Sequence, residues 1–187
     1  MIYYPIDTLR AMGCTDILIV TGGEQVGGFA QLLGSGFTYR VQDQPDGIAG
    51  ALAQAEGYVG GLFPVILGDN YFVGDLAMPD RPAIYTASTD RPEAFGIYNP
   101  ETARIVEKPK DSASFLAVTG LYVYDDRVFD VIRGLTPSAR GELEITDVNN
   151  WYLQHGLMDV HDGPRVWSDM GTPDSLLRVA LHAQAAA

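Results

Sequence analysis

The sequence predicts an α/β protein on a doubly wound, mixed but mostly parallel sheet, with helices on both faces and an inserted antiparallel part. Three observations predict it. Over the first seventy residues, helically spaced segments alternate with apolar, β-branched runs, as in strands joined by crossover helices. Four strand-like pieces then follow in about forty residues, with little room for helices between them. Helical spacing returns towards the C-terminus, interrupted by two short strands.

Each element has its own justification. Ile2, Ile6 and Leu9 fall at i, i+4 and i+7, one apolar helix face. Residues 17–20 (ILIV), running into Thr21-Gly22-Gly23, read as a buried parallel strand. Such a strand is normally reached from an earlier strand through a crossover helix, yet here the helix comes first. The expectation is therefore a strand and loop ahead of Met1, on the order of thirty residues. A gap or an unsatisfied edge should then lie beside residues 17–20 or 65–67. Residues 25–36 read as a short helix, 37–42 (FTYRVQ) as an alternating strand, and 47–59 as an alanine-rich helix. FPVILGDN (63–70) reads as a strand ending in Gly68-Asp69-Asn70.

AIYTAS, FGIYN, ARIVEKP and FLAVTGLYVYDD supply the four crowded strands. DRVFDVIRGL and ELEITDVNNWYLQHG supply helices, the second with Ile145, Val148, Trp151 and Tyr152 on one stripe. LMDVHD and PRVWSDMGT are short strands. PDSLLRVALHAQA closes the chain as a helix, with Pro173 early and Asp174 in its first turn, both favourable there. The whole reads as one domain over 1–187, N-terminally incomplete.

Composition narrows the function. The formal charge is −12, from 24 acidic against 12 basic residues. That argues against nucleic acid or an anionic membrane as partner, since both require a basic surface. A phosphorylated small molecule remains open, because a divalent cation supplies positive charge. Cys14 is the single cysteine, which excludes an intramolecular disulfide framework and fits a reducing cytoplasm. No apolar run is long enough to cross a bilayer. The only two lysines, Lys108 and Lys110, sit together in VEKPK.

Six stretches carry chemistry. VILGDN places Asp69 at a strand end, where open α/β sheets bind ligands, and its carboxylate suits a hard cation. Asn70 could bond a ligand hydroxyl or fix the turn; Gly, Asp and Asn are also common at strand ends without any function. In VQDQPDGIAGAL, the Gln42 amide offers a donor and an acceptor to a pyrimidine edge. Pro45 stiffens that loop and Gly47 permits close backbone approach. Glu107 and Lys108 pair a hydroxyl acceptor with a phosphate-seeking ammonium. Thr119-Gly120 interrupts an apolar strand, a mark of close approach. Glu142 and Glu144 stand near a helix start, where carboxylates are favoured anyway. WSDMGTPDSLL sets Asp169 in a second strand-to-helix turn. None of His155, His161 and His182 has metal-ligand spacing.

In order, MIYYPI, ILIVT, VQ…PDGIA, ILGDN, FG, VEKP, AVTGLY, RGELEITD and W.D.GT.DSL resemble the sugar-1-phosphate nucleotidylyltransferases, whose fold is Rossmann-like. The likeness spans essentially the whole chain and is nearest the branch that couples a thymidine triphosphate to glucose-1-phosphate. It implies transfer of a nucleotidyl group from dTTP (or UTP) to the sugar phosphate, with release of pyrophosphate. The resemblance implies that Gln42 and Gly47 recognise the base, with Pro45 and Asp46 shaping the loop. By the same likeness Asp69 and Asp169 hold Mg²⁺. Gly96, Glu107 and Val118 line the sugar pocket, Lys108 neighbours the sugar phosphate, and Tyr122 and Trp167 form pocket walls. The family's catalytic arginine, on a glycine-rich phosphate loop, and its lysine, in the segment that follows, are expected ahead of Met1, so no residue of 1–187 is assigned as catalytic. Two departures stand out: Met170 replaces a usual threonine, and Phe95 a common tyrosine. Two other readings compete: a sugar-nucleotide-binding homologue without catalysis, and a metal-dependent glycosyltransferase, against which Asp69-Asn70-Tyr71 and RGELEIT argue. The likeness further implies a homo-oligomer in the cytoplasm.

Overall fold

The computed structural model describes residues 1–185. Its longest strand, β8 (Leu116–Tyr124), organises the rest. Alternation along β8 sends Tyr122 and Tyr124 into one apolar cluster and Leu121 and Val123 into another. One edge of β8 pairs antiparallel with β5 (Ala83–Ser88), whose other edge carries β9 (Asp159–Asp162) in parallel. The opposite edge is shared. Its first residues pair with β6 (Gly96–Asn99), which pairs with β7 (Arg104–Glu107). Its last residues pair with β3 (Phe63–Ile66). The changeover falls at Thr119-Gly120, opposite an irregularity in the β5 pairing, so the interruption read in the sequence is a break in the ladder.

Two smaller sheets flank this one. β1 (Leu18–Gly22) pairs in parallel with β2 (Thr38–Gln42), and β4 (Asn70–Val73) pairs antiparallel with β10 (Val166–Asp169). The mixed α/β architecture is the one expected, but among the described residues parallel pairing is confined to β1–β2 and β5–β9 and antiparallel pairing predominates. α4 (Arg127–Arg133) and α5 (Ile145–Gln154) pack with α3 (Ile48–Ala53) over the Tyr122/Tyr124 face. There the Tyr124 hydroxyl donates to Asn149 Oδ1 at 2.5 Å, satisfying two buried polar groups. α1 (Tyr3–Ala11) buries Ile6 and Leu9 against Ile17 and Ile19, while α2 (Gly23–Leu33) follows β1 and α6 (Pro173–Ala185) follows β10. No described helix is long and apolar enough to cross a membrane.

Three elements differ from expectation. FPVILGDN is not one strand: β3 stops at Ile66, and Asn70 opens β4 in a different sheet. The Leu67 amide donates to the Gly120 carbonyl at 2.8 Å before the chain turns away. The alanine-rich helix stops at Ala53 and gives way to turns. The helix sought from Glu142 begins at Ile145, with Glu144 still extended.

The expected gap exists, beside both strands named for it. Among the described residues β1 pairs only with β2 and β3 only with β8. Between their free edges lies a cleft of about 710 Å³, bounded by Ile6 and Leu9 of α1 and by Ile48 and Leu52 of α3. It extends to Gly68, directly before Asp69.

Candidate functional site

The two carboxylates singled out in the sequence lie together. Pairing of β4 with β10 sets Asn70 opposite Asp169, which makes Asp69 and Asp169 neighbours across the sheet end. The Met170 amide donates to the Asp69 carbonyl at 2.7 Å, locking one turn to the other. A Cβ built on Gly171 would lie 3.4 Å from Oδ2 of Asp169 and 3.5 Å from Oδ2 of Asp69, so both oxygens face one small space. Thr172 and Ser175 exchange hydrogen bonds at the start of α6 and fix the turn that follows Asp169.

Asn70 holds this corner together. It is buried, and its Nδ2 donates to Asp69 Oδ1 at 2.8 Å. Its Oδ1 accepts from Trp167 Nε1 at 2.7 Å and from the Gly120 amide at 3.1 Å. Of the alternatives the sequence left for Asn70, the structure shows the turn-fixing role. Gly120 is required by that network. A Cβ there would sit 2.6 to 2.7 Å from the Asn70 amide atoms, closer than carbon atoms approach.

Glu107 lies at the end of β7, opposite Gly96 in register. Thr146 Oγ1, in the first turn of α5, donates to Glu107 Oε2 at 2.6 Å. A Cβ at Gly96 would meet that oxygen at 3.2 Å, so glycine leaves room beside it. Lys108 follows with φ +45°, a left-handed conformation costly for a residue with a side chain and concentrated at functional sites. Its Nζ is 3.8 Å from Glu107 Oε1.

Tyr122 is buried, its ring stacked on Tyr124 at 5.9 Å, so it supports the site from within the core. Burial, then the charges of Glu107 and Asp69, push its phenol well above the usual tyrosine range. Burial, then the charges of Glu144 and Glu107, raise Asp147 as well. Val118 is half-buried on β8, opposite Thr86. Trp167 is half-buried, with Phe95 edge-on at 5.1 Å.

The loop after β2 forms a second unit. Gln42 Nε2 donates to Asp46 Oδ1 at 2.5 Å and to the Gly47 carbonyl at 3.0 Å, so its donor group is spent on the loop and Oε1 is the acceptor it offers. Gly47 has φ +100°, and a Cβ there would strike the Leu143 carbonyl oxygen at 2.6 Å. The Leu143 amide donates to the Asp46 carbonyl at 2.6 Å. The loop is thereby tied to the segment leading to Thr146 and Glu107. Pro45 lies exposed at its tip.

Among the described residues no third histidine, cysteine or carboxylate joins Asp69 and Asp169 in a metal-sized group. Two oxygen donors fit a hard divalent cation that fills its remaining positions with water and phosphate oxygens. Two contributors escaped sequence reading. Thr146 was hidden inside an apparent helix start. Arg91, whose Nη2 lies 3.7 Å from Asp169 Oδ1, stands in an ordinary-looking turn, TDRPEAF. Its signal was the scarcity of cations in so acidic a chain.

Comparison with known proteins bears on the family and the fold. The sequence model of the nucleotidyl transferase family matches residues 1–186. A glucose-1-phosphate thymidylyltransferase of Neisseria meningitidis is 38% identical over 206 aligned residues, covering 98% of this chain and 72% of that protein. A Bacillus anthracis crystal structure, assigned as a glucose-1-phosphate thymidylyltransferase and in complex with sucrose, superposes with a TM-score of 0.89 at 43% identity, covering 97% of this chain and 81% of that one. A UDP-glucose pyrophosphorylase complexed with UDP-glucose shares the fold, with a TM-score of 0.79 at 20% identity over 98% of this chain and 86% of the other.

Proposed function

The chain belongs to the nucleotidyl transferase family, and from that premise we propose that it serves glucose-1-phosphate thymidylyl transfer. The substrates are dTTP (or UTP) and glucose-1-phosphate, and the products are dTDP-glucose and pyrophosphate. The observation that carries the proposal is the convergence of Asp69 and Asp169 on one space; a separate loop holds Gln42 with its acceptor free.

In the reaction a sugar-phosphate oxygen bonds to the α-phosphorus of the triphosphate, and the bond from that phosphorus to the bridging oxygen of pyrophosphate breaks. The protein's task is to position two mutually repelling anions and to balance charge at the transferred phosphorus. Gln42 Oε1 accepts from the pyrimidine N–H, with Asp46 and Gly47 holding its amide in place. Glu107, oriented by Thr146, accepts from sugar hydroxyls, and Gly96 leaves them room. Lys108 faces the sugar phosphate. Val118 and Trp167 bound the pocket, backed by Tyr122. Asp69 and Asp169 would hold Mg²⁺, which when bound neutralises phosphate charge. A homo-oligomer in the cytoplasm belongs to the same reading, with Leu177 and Leu181, exposed one turn apart on α6, as its contact.

The test is calorimetry with dTDP-glucose and UDP-glucose, with and without Mg²⁺, on the wild type and on Asp69→Asn. Cation-dependent binding lost in the variant is expected. Equal binding by both proteins overturns the assignment.

A further inference from the structure

Arg91 pairs with one of the two carboxylates, Asp169, and nothing in the proposed roles uses it. Its Nη2 stands 3.7 Å from Asp169 Oδ1. The same guanidinium lies 5.8 Å from the centre of the Phe95 ring, itself edge-on to Trp167. Its backbone is fixed: the Arg91 amide donates to Thr89 Oγ1 at 3.0 Å, and Pro92 follows in a short 3-10 turn. The root of the side chain is thus held while its tip, 43% exposed, stays free to move.

Resting on Asp169 is a weak engagement. A solvent-screened ion pair at 3.7 Å contributes little and yields readily to a stronger competitor for the carboxylate. A divalent cation is such a competitor. Once displaced, the guanidinium remains beside the place where phosphate oxygens gather, and its planar fork matches them better than it matches a single carboxylate oxygen. The chain has few cations to offer elsewhere, with Lys108 and Lys110 its only lysines and a net charge of −12. The ring of Phe95, which carries no hydroxyl, gives the guanidinium an apolar face to slide on.

Resting on the nucleotidyl-transfer reading above, we infer that Arg91 is a phosphate-binding residue with two alternative partners. It screens Asp169 when that carboxylate is free, and turns to the phosphates of the bound nucleotide when a cation takes Asp169. Arg91 therefore weakens cation binding on its own and strengthens nucleotide binding in the presence of the cation.

The experiment compares wild type, Arg91→Ala and Arg91→Lys, each first shown to unfold at the same temperature. Mn²⁺ is titrated without nucleotide and followed by electron paramagnetic resonance. Arg91→Ala should bind Mn²⁺ about two- to fivefold more tightly, as expected for loss of a screened ion pair. Calorimetry with dTDP-glucose at saturating Mn²⁺ should show the opposite, an affinity loss of about tenfold in Arg91→Ala that Arg91→Lys partly restores. A merely structural arginine moves neither quantity in these opposed directions. Wild-type binding of dTDP-glucose with unchanged affinity in Arg91→Ala overturns the inference and leaves the family reading intact. A wild type that binds no sugar nucleotide overturns both.

Discussion

Gly120→Ala is the most informative single perturbation. The added methyl would lie 2.6 to 2.7 Å from three atoms of the Asn70 amide, so either β8 or Asn70 must move. β8 is paired on both edges, with β3 and β5, and is buried over most of its length. Asn70 is the part able to yield. Displacing it breaks three hydrogen bonds, to Asp69, Trp167 and the Gly120 amide. Each is worth about 1 kcal/mol net, and leaving buried partners unpaired adds a penalty of roughly 1–3 kcal/mol. The destabilisation should total about 4–6 kcal/mol, which at this chain length lowers Tm by roughly 8–24 °C. Urea unfolding followed by near-ultraviolet circular dichroism measures the first effect. A Mn²⁺ titration measures the second, a weakened cation site, because Asp69 loses the group that orients it. Asn70→Gly placed in the Gly120→Ala background removes the clash, so the double variant should be less destabilised than the two singles combined. A Gly120→Ala protein with the wild-type urea midpoint and cation affinity would refute the reasoning.

Gln42→Ala should weaken dTDP-glucose binding by roughly 1–3 kcal/mol in calorimetry, the cost of an unpaired buried base N–H, with the fold retained. Burial acts to raise Asp125, but hydrogen bonds from Arg127 and Tyr152 outweigh it and hold its carboxyl below the usual range. Its stabilising contribution is therefore complete above about pH 4 and lost as the pH falls through its lowered value; Asp125→Asn should flatten that acid limb of a Tm-against-pH profile. An apolar five-residue strand fused ahead of Met1 should fill the cleft between β1 and β3, raise Tm and slow amide exchange in both strands. A polar strand of equal length should do neither.

The sequence carried most of this fold because its information is periodic. The ILIV run, the alternation in FTYRVQ and the stripe through Ile145, Val148 and Tyr152 each specify an element from within. What it could not carry were events decided by partners distant along the chain. β3 ends at Ile66 because β8 offers it a partner only as far as Leu121, and Asn70 joins another sheet because β10, nearly a hundred residues later, pairs with it. The site divides the same way. Asp69, Asp169, Gln42 and Glu107 were singled out because each stands near a strand end and within three residues of glycine or proline. Thr146 and Arg91 were not, since their meaning lies wholly in what they touch: a hydroxyl on Glu107 and a guanidinium on Asp169. The cleft between β1 and β3 belongs to the first kind. Buried strand edges leave backbone donors and acceptors that are costly without partners. A parallel-type apolar run reads as a strand suited to pairing on both sides, and among the described residues β1 is paired on one side alone. Ile6, Leu9, Ile48 and Leu52 line that cleft, which gives it an apolar character.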